Sequence, residues 1–301
     1  SSDLASLEAY YILTANIDCG ETSTWNDGAG FEPLMGDFGF SGVFNGQGHS
    51  ISNLTINHVM GANTALFGFT TPASVIHNVT LTNPVIVGDY RTAAVVADSY
   101  GSIYDVRVVN ADITGGGSTG AIAGETYYSD MDNVSATGTV NGTYEELGGL
   151  FGYFNGGTLS NCSFSGTAHG YYEVGGIVGE IEDGPTTISR CYSEGEVIAD
   201  TTDAGGILGE NEAADSILSE VFSSAEVTSE ENVGGIVGYG HSGIMIESSY
   251  FNGSVFGQTE GGGLVGDGDS DLVIRKSYTT GLVTDIDEDN ANDHFGAVTG
   301  E

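Results

Sequence analysis

Apolar and polar residues alternate along this chain in short runs, and one such run returns again and again. Ile51-Ser52-Asn53-Leu54-Thr55-Ile56 is matched by Ile76-His77-Asn78-Val79-Thr80-Leu81, and further copies start at Ile103, Met131, Leu159, Ile188, Leu218, Ile246 and Ile274. The fourth position reads Leu54, Val79, Val106, Val134, Cys162, Cys191, Val221, Ser249 and Ser277, small or β-branched almost throughout. Alternation of this kind predicts a strand with one buried face. Gly, Asn, Asp and Ser turns separate the runs, and no helical periodicity of useful length follows residue 10.

A second pattern keeps the same beat. Gly175-Gly176-Ile177-Val178-Gly179 recurs, with substitutions, in nine copies ending at Gly68, Ala97, Gly124, Gly152, Gly179, Gly209, Gly238, Gly266 and Gly300. Copies therefore follow one another every 27 to 34 residues, which marks a repeat architecture. A propeller blade needs about 40–50 residues, and leucine-rich repeats carry their own signature. The pattern predicts an all-β fold, a single-stranded parallel β-helix (β-solenoid) of about nine coils of ~28 residues, stacked ~4.8 Å apart. The double glycine implies either a corner with positive φ or a wall where only glycine lets backbones approach. The apolar pair after it alternates, so one of the two is expected to fill the core.

Residues 1–39 differ from the rest and are expected to cap the first coil, leaving 40–301 as the solenoid. Ser2 followed by Asp3-Leu4-Ala5-Ser6-Leu7-Glu8-Ala9 reads as a short capped helix, and Tyr11 to Asp18 as a strand. A cap is needed because an open strand edge templates aggregation.

The glycine motif at this period, following Tyr11-Ile12-Leu13-Thr14-Ala15-Asn16-Ile17-Asp18 and Phe44-Asn45-Gly46-Gln47-Gly48-His49-Ser50-Ile51-Ser52-Asn53-Leu54, resembles the GLUG-motif repeat family. The resemblance covers residues 10–301. It implies a β-solenoid at the cell exterior, in the company of secreted and cell-surface microbial proteins, including adhesin-like proteins and parts of some surface peptidases. It implies no catalytic residues, because the motif is structural.

Charge narrows the partners. With 42 acidic against 5 basic residues, a formal net charge of −37, the surface repels nucleic-acid phosphates and anionic membranes. No apolar run approaches the roughly 20 residues that span a bilayer, so no membrane insertion is expected. No basic-then-apolar start is present, which points to an already removed secretory signal and an extracellular or cell-surface location.

Two acidic loops carry carboxylates at alternate positions, the spacing by which loops wrap calcium: Asp267, Asp269, Asp271 and Asp285, Asp287, Asp289. Neither has the full twelve-residue pattern, and a solvated charge run is the competing reading. No other cofactor is expected. Asn53, Asn78, Asn133, Asn141, Asn161 and Asn252 open N-x-Ser/Thr sequons and are candidate glycosylation sites; an outward Asn/Thr ladder pairing between coils is the alternative. Cys162 and Cys191 share one column of successive coils, close enough for a disulfide or for two packed thiols.

Catalytic patterns mostly dissolve. Gly238-Tyr239-Gly240-His241-Ser242-Gly243 has dinucleotide-loop spacing, but no helix follows to bind a pyrophosphate. A polysaccharide lyase or hydrolase needs clustered carboxylates with a basic residue, and the sequence brings these together only at Arg275-Lys276 and Asp285-Asp287-Asp289. The expected function is therefore a non-enzymatic structural or adhesion protein, a surface or fibre subunit. Its C-terminal motif carries no polar cap, so head-to-tail stacking with copies of itself or with neighbouring surface-protein domains is expected. The competing readings are a carbohydrate-binding adhesin and a polysaccharide-active β-helix enzyme.

Overall fold

The computed structural model describes residues 7–35, 38–269, 271–286 and 294–300. Among these the chain winds into a parallel β-solenoid of about nine turns with almost no helix. Each strand pairs with its equivalent one coil later: Leu159 lies opposite Ile188, Ile188 opposite Leu218, Leu218 opposite Ile246, and Ile246 opposite Ile274. In the described coils the first apolar residue of the run is buried or half-buried, and the fourth position also faces inward, even where it is Ser249. One continuous core runs from Leu13 to Val265.

The strands form a wide sheet that bends around the coil and a narrow wall of eight very short parallel strands among the described residues. The glycine motif straddles the corner between them. Val174–Gly175 belongs to the narrow wall and Val178–Ile181 to the wide sheet. Both apolar residues of the motif are buried: Ile177 and Val178 are each 0% exposed. This corrects the expectation that only one fills the core, and the reason is the corner, which turns both side chains inward. The paired glycines are not positive-φ residues. They are a close-approach wall, for a Cβ on Gly176 would stand 2.2 Å from the Gly206 carbonyl oxygen. In the first copy Thr64 faces Thr92 while Phe67 faces Val96, so that coil is one residue short and Ala65 serves where later coils use two small residues.

Positive φ falls elsewhere, on the polar residue just before the fourth position. Asn53, Asn78, Asp105, Asn133, Asn161, Arg190, Glu220, Ser248 and Lys276 all have φ between 51° and 58°. Each turns a corner in the left-handed region, where Asn and Asp are at least tolerated and other side chains cost about 1–2 kcal/mol. Glu220 is exposed and keeps its backbone N–H bond to Glu247. Glu220→Gly is therefore expected to raise stability by about 0.5–1 kcal/mol and Glu220→Val to lower it by about 1–2 kcal/mol. Paired thermal melts check this; equal melting temperatures would remove the corner argument.

The N-terminal segment continues the ladder. Tyr10–Ile12 and Ile17–Asp18, with a break where one strand was expected, pair in parallel with Val43–Asn45 and Ser50–Ser52. Short 3-10 turns follow at Gly20–Thr24 and Asn26–Gly28. The helix expected at 2–9 lies largely outside the described residues.

Candidate functional site

Two columns of side chains meet along one corner of the rod. The first stands directly before the short wall strand of each coil: Arg91, Ser118, Glu146, Glu173, Asp203 and Asn232, with φ between 36° and 65°. The second follows the motif's last small residue: Asp98, Glu125, Tyr153, Glu180, Glu210, Tyr239 and Asp267, in unbroken parallel register. The final glycines bring the columns together. A Cβ on Gly179 would lie 2.7 Å from the carbonyl carbon of Glu146, and one on Gly209 would lie 2.6 Å from that of Glu173. The corner of one coil thus rests on the last glycine of the next, which sets Glu146 beside Glu180 and Glu173 beside Glu210. The result is a groove of carboxylates, with Glu125, Asp203 and Glu210 buried and Glu146, Glu173 and Glu180 half-buried.

One end of the groove is compensated. The Arg91 Nε stands 2.6 Å from Glu125 Oε2 and 3.9 Å from Asp98 Oδ2, an ion pair rather than an in-line hydrogen bond. The hydroxyls of Tyr127 (2.8 Å) and Ser118 (3.0 Å) also donate to Glu125. Ser118 contacts Glu146 as well. A hydroxyl has one proton, so Ser118 donates to only one of the two carboxylates at a time. Burial, opposed by the Ser118 bond and reinforced by Glu125, pushes Glu146 up to about 7. Asp98 rises to about 6, again through burial first, with Arg91 pulling the other way.

The other end lacks compensation. Glu173 accepts one hydrogen bond, from the Glu146 N–H at 3.1 Å, and burial holds it at about 7. Asp203 accepts from Asn232 (2.8 Å) and Thr202 (2.5 Å), yet burial still raises it. Glu180 and Glu210 face each other in register, and among the described residues no donor or cation reaches either. Burial first, then neighbouring carboxylates, push Glu180 up to about 9 and Glu210 to about 8. Like charges directly opposite on paired strands repel. Such a groove can store protons at neutral pH, attract cations, or offer a general acid.

Sequence reasoning missed this groove, although a signal was there. An acid follows the motif at Glu125, Glu180, Glu210 and Asp267, and another stands two residues ahead of the double glycine at Glu146, Glu173 and Asp203. Of the acids expected beside Arg275 and Lys276, Asp287 and Asp289 lie outside the described residues. Lys276 pairs with Glu247 at 2.9 Å, and Arg275 lines an open depression with Asp215 and Asp271. Arg91 meets two acids, Asp98 and Glu125.

Of the calcium candidates, Asp267 ends the second column of the groove, Asp269 accepts from or pairs with the His241 ring at 2.8 Å, and Asp285 closes the strand Leu282–Asp285. Asp287 and Asp289 lie outside the described residues. Among the described residues no three acids, histidines or cysteines converge to hold a metal. The sequon asparagines Asn53, Asn78, Asn133 and Asn161 sit at the left-handed corner of the run, with Asn53, Asn133 and Asn161 exposed and Asn78 half-buried. The side-chain amides of Asn53, Asn133 and Asn161 donate to Asp18, Asp105 and Asp132 at 2.6–2.9 Å, rungs that tie one coil to the coil before. Asn141 is half-buried and Asn252 exposed. Cys162 and Cys191 are stacked, buried and free as thiols, each donating to a nearby backbone carbonyl, of Ser160 and Ser189. A cavity of about 350 Å³ lined by Leu13, Trp25, Phe31 and Leu54, with Asp18 and Glu21 among its lining residues, lies between the N-terminal segment and the first coil.

No protein-family model matches the chain. It is 38% identical over 148 residues to Halomucin of Haloquadratum walsbyi, a match covering 47% of this chain and 1% of that protein. The chain thus spans about one hundredth of the curated relative it matches. A crystal structure of a Bacteroides ovatus protein provisionally called an immunoglobulin A1 protease aligns over 96% of this chain and 75% of its own, with 20% identity and a TM-score of 0.48. Among the described residues no helix is long and apolar enough to cross a membrane.

Proposed function

We propose that this chain is a rod segment of an extracellular, non-enzymatic repeat protein, whose work is to present regular, strongly acidic faces for structure or adhesion. The observation that carries the reading is the column order itself. Acids, corner residues and glycines recur at fixed registers coil after coil, so the groove is a property of the repeat rather than a single odd pocket. Partial likeness to Halomucin, the GLUG-type resemblance and the net charge of −37 support the same reading. Head-to-tail association with copies of itself or with neighbouring domains belongs to the proposal.

Carbohydrate adhesion is favoured by a surface ladder of Tyr192, Phe222, Tyr250 and Tyr278, whose rings stack at 4.3 and 5.4 Å over the last three. Stacked rings turn edges outward, so this strip offers hydroxyls and ring edges rather than open faces. The enzyme reading also has one observation behind it. Glu146 and Glu173, held near 7, have the acidity that general acid–base work needs, with Arg91 at the same groove.

Incubation with a panel of acidic and neutral polysaccharides separates the two. No release of reducing or unsaturated sugar ends is expected, together with retention of one or more polysaccharides on immobilised protein. Steady release that disappears in Glu146→Gln or Glu173→Gln would establish the enzyme instead. Sedimentation velocity tests self-association: species growing with concentration are expected, and a single monomer boundary throughout would remove the stacking part.

A further inference from the structure

We propose that Glu180 and Glu210 hold an oxygen-seeking divalent cation of calcium's size between them. The two carboxylates occupy neighbouring rungs of one parallel ladder, so their side chains leave the backbone side by side. Neighbouring strands lie about 4.8 Å apart, twice the roughly 2.4 Å at which oxygen ligates calcium. A cation between the rungs would touch both without distorting either strand. Glu210 is the second, separate pointer: it is only 9% exposed, and among the described residues nothing donates to it. A buried carboxylate without a partner is costly unless it is protonated or meets a cation.

The surroundings favour a cation over any anion. Facing Glu180 are Glu146, Glu173 and Glu182, and facing Glu210 are Asp203, Glu173 and Glu212. Tyr153 and Tyr239 flank the pair in the same column. No three protein ligands converge, so the site is a two-carboxylate bridge whose other ligands are water, and it differs from a closed cage. Protons compete for the same oxygens, which makes uptake pH-dependent.

Terbium serves as the probe, because Tyr153 and Tyr239 stand one rung away and can sensitise its emission. At pH 8.5 in potassium chloride, the intact chain should show saturable sensitised emission that calcium displaces. Glu180→Gln/Glu210→Gln should weaken that uptake at least tenfold, while Asp269→Asn/Asp271→Asn, in the acidic loop, should leave it unchanged. Circular dichroism verifies that each variant is folded. If the groove variant does not fold, the unaltered chain still decides: calcium should raise its melting temperature at pH 8.5 and much less at pH 5. Emission that survives the groove substitutions, emission lost only in the loop variant, or a calcium effect equal at both pH values would each overturn the assignment.

Discussion

Gly175→Ala should leave the chain largely unfolded at room temperature, or at best with a melting temperature lowered by ten degrees or more. An added Cβ would stand 1.7 Å from the Val178 carbonyl oxygen, 2.6 Å from its carbon and 2.9 Å from the Gly209 nitrogen, all backbone atoms that no rotamer can move. The same clash, under 2 Å from a carbonyl oxygen, exists at Gly148, Gly205, Gly234 and Gly262. Relief requires opening the corner, which would unseat Ile177 and Val178 from the core and part the rungs to the next coil. Losses above about 4 kcal/mol have this kind of origin, a backbone forced apart in a packed interior. Because each coil is held only by its neighbours, a break in the middle of the stack also removes support from both sides. Gly48→Asn is the matched control: its Cβ meets nothing within 4 Å, and its φ of 78° suits asparagine. Far-ultraviolet circular dichroism and protease resistance read the outcome. A Gly175→Ala protein melting within about two degrees of the parent would show that the corner yields, contrary to the close packing of its backbone.

Stability should fall as pH rises from about 6 to 9, the reverse of what most acidic proteins show. Glu146, Glu173, Glu180 and Glu210 have folded-state values near 7, 7, 9 and 8, each above the 4.5 of a free glutamate. Between the free and the folded value the folded chain binds protons that the unfolded chain has released. Stability from these groups is therefore fully present below about pH 4.5 and lost as pH climbs through 7 to 9. Each pH unit by which folding raises a carboxyl above its free value corresponds to about 1.4 kcal/mol, and water reaching the half-open groove reduces that, so the total loss is on the order of a few kcal/mol. Asp18, Asp132 and Glu247 act in the opposite sense, since hydrogen bonds from Asn53, Ser160 and Lys276 lower them; their contribution disappears at strongly acid pH. The melting temperature should therefore peak near pH 5. In Glu180→Gln/Glu210→Gln the alkaline decline should flatten and the protein should be the more stable one at pH 9. A melting temperature that rises between pH 6 and 9, or a variant with the parent's slope, would contradict the buried-proton account. Measurements in divalent-free buffer keep this effect apart from cation uptake.

How much of this was legible before the structure depends on the range of the interaction. Leu159, Cys162 and their equivalents could be read as core because the short-range pattern of apolar and polar residues decides which side chains face inward, and neighbours in sequence set it. The coil length could be read because the glycine motif recurs. The burial of both Ile177 and Val178 could not, because alternation describes a straight strand and these residues sit where the chain turns between two sheets. The asparagines Asn53, Asn133 and Asn161 are exposed, as alternation predicts, but alternation records neither their left-handed φ nor the bonds their amides make to the previous coil. Glu247 lies in register with Arg275 and pairs with Lys276 at 2.9 Å, a neighbour one coil away that proximity in sequence does not reveal.

By itself, then, the sequence determined the class of fold, its period and the inward column, since these follow from strand alternation and from glycine's lack of a side chain. Tertiary structure alone decided which acids share an environment. Glu146 and Glu180 stand 34 positions apart, more than one repeat, and meet because the left-handed corner of one coil settles on Gly179 of the next. That offset between corner and coil depends on how the backbones stack, and no pattern within a single repeat records it.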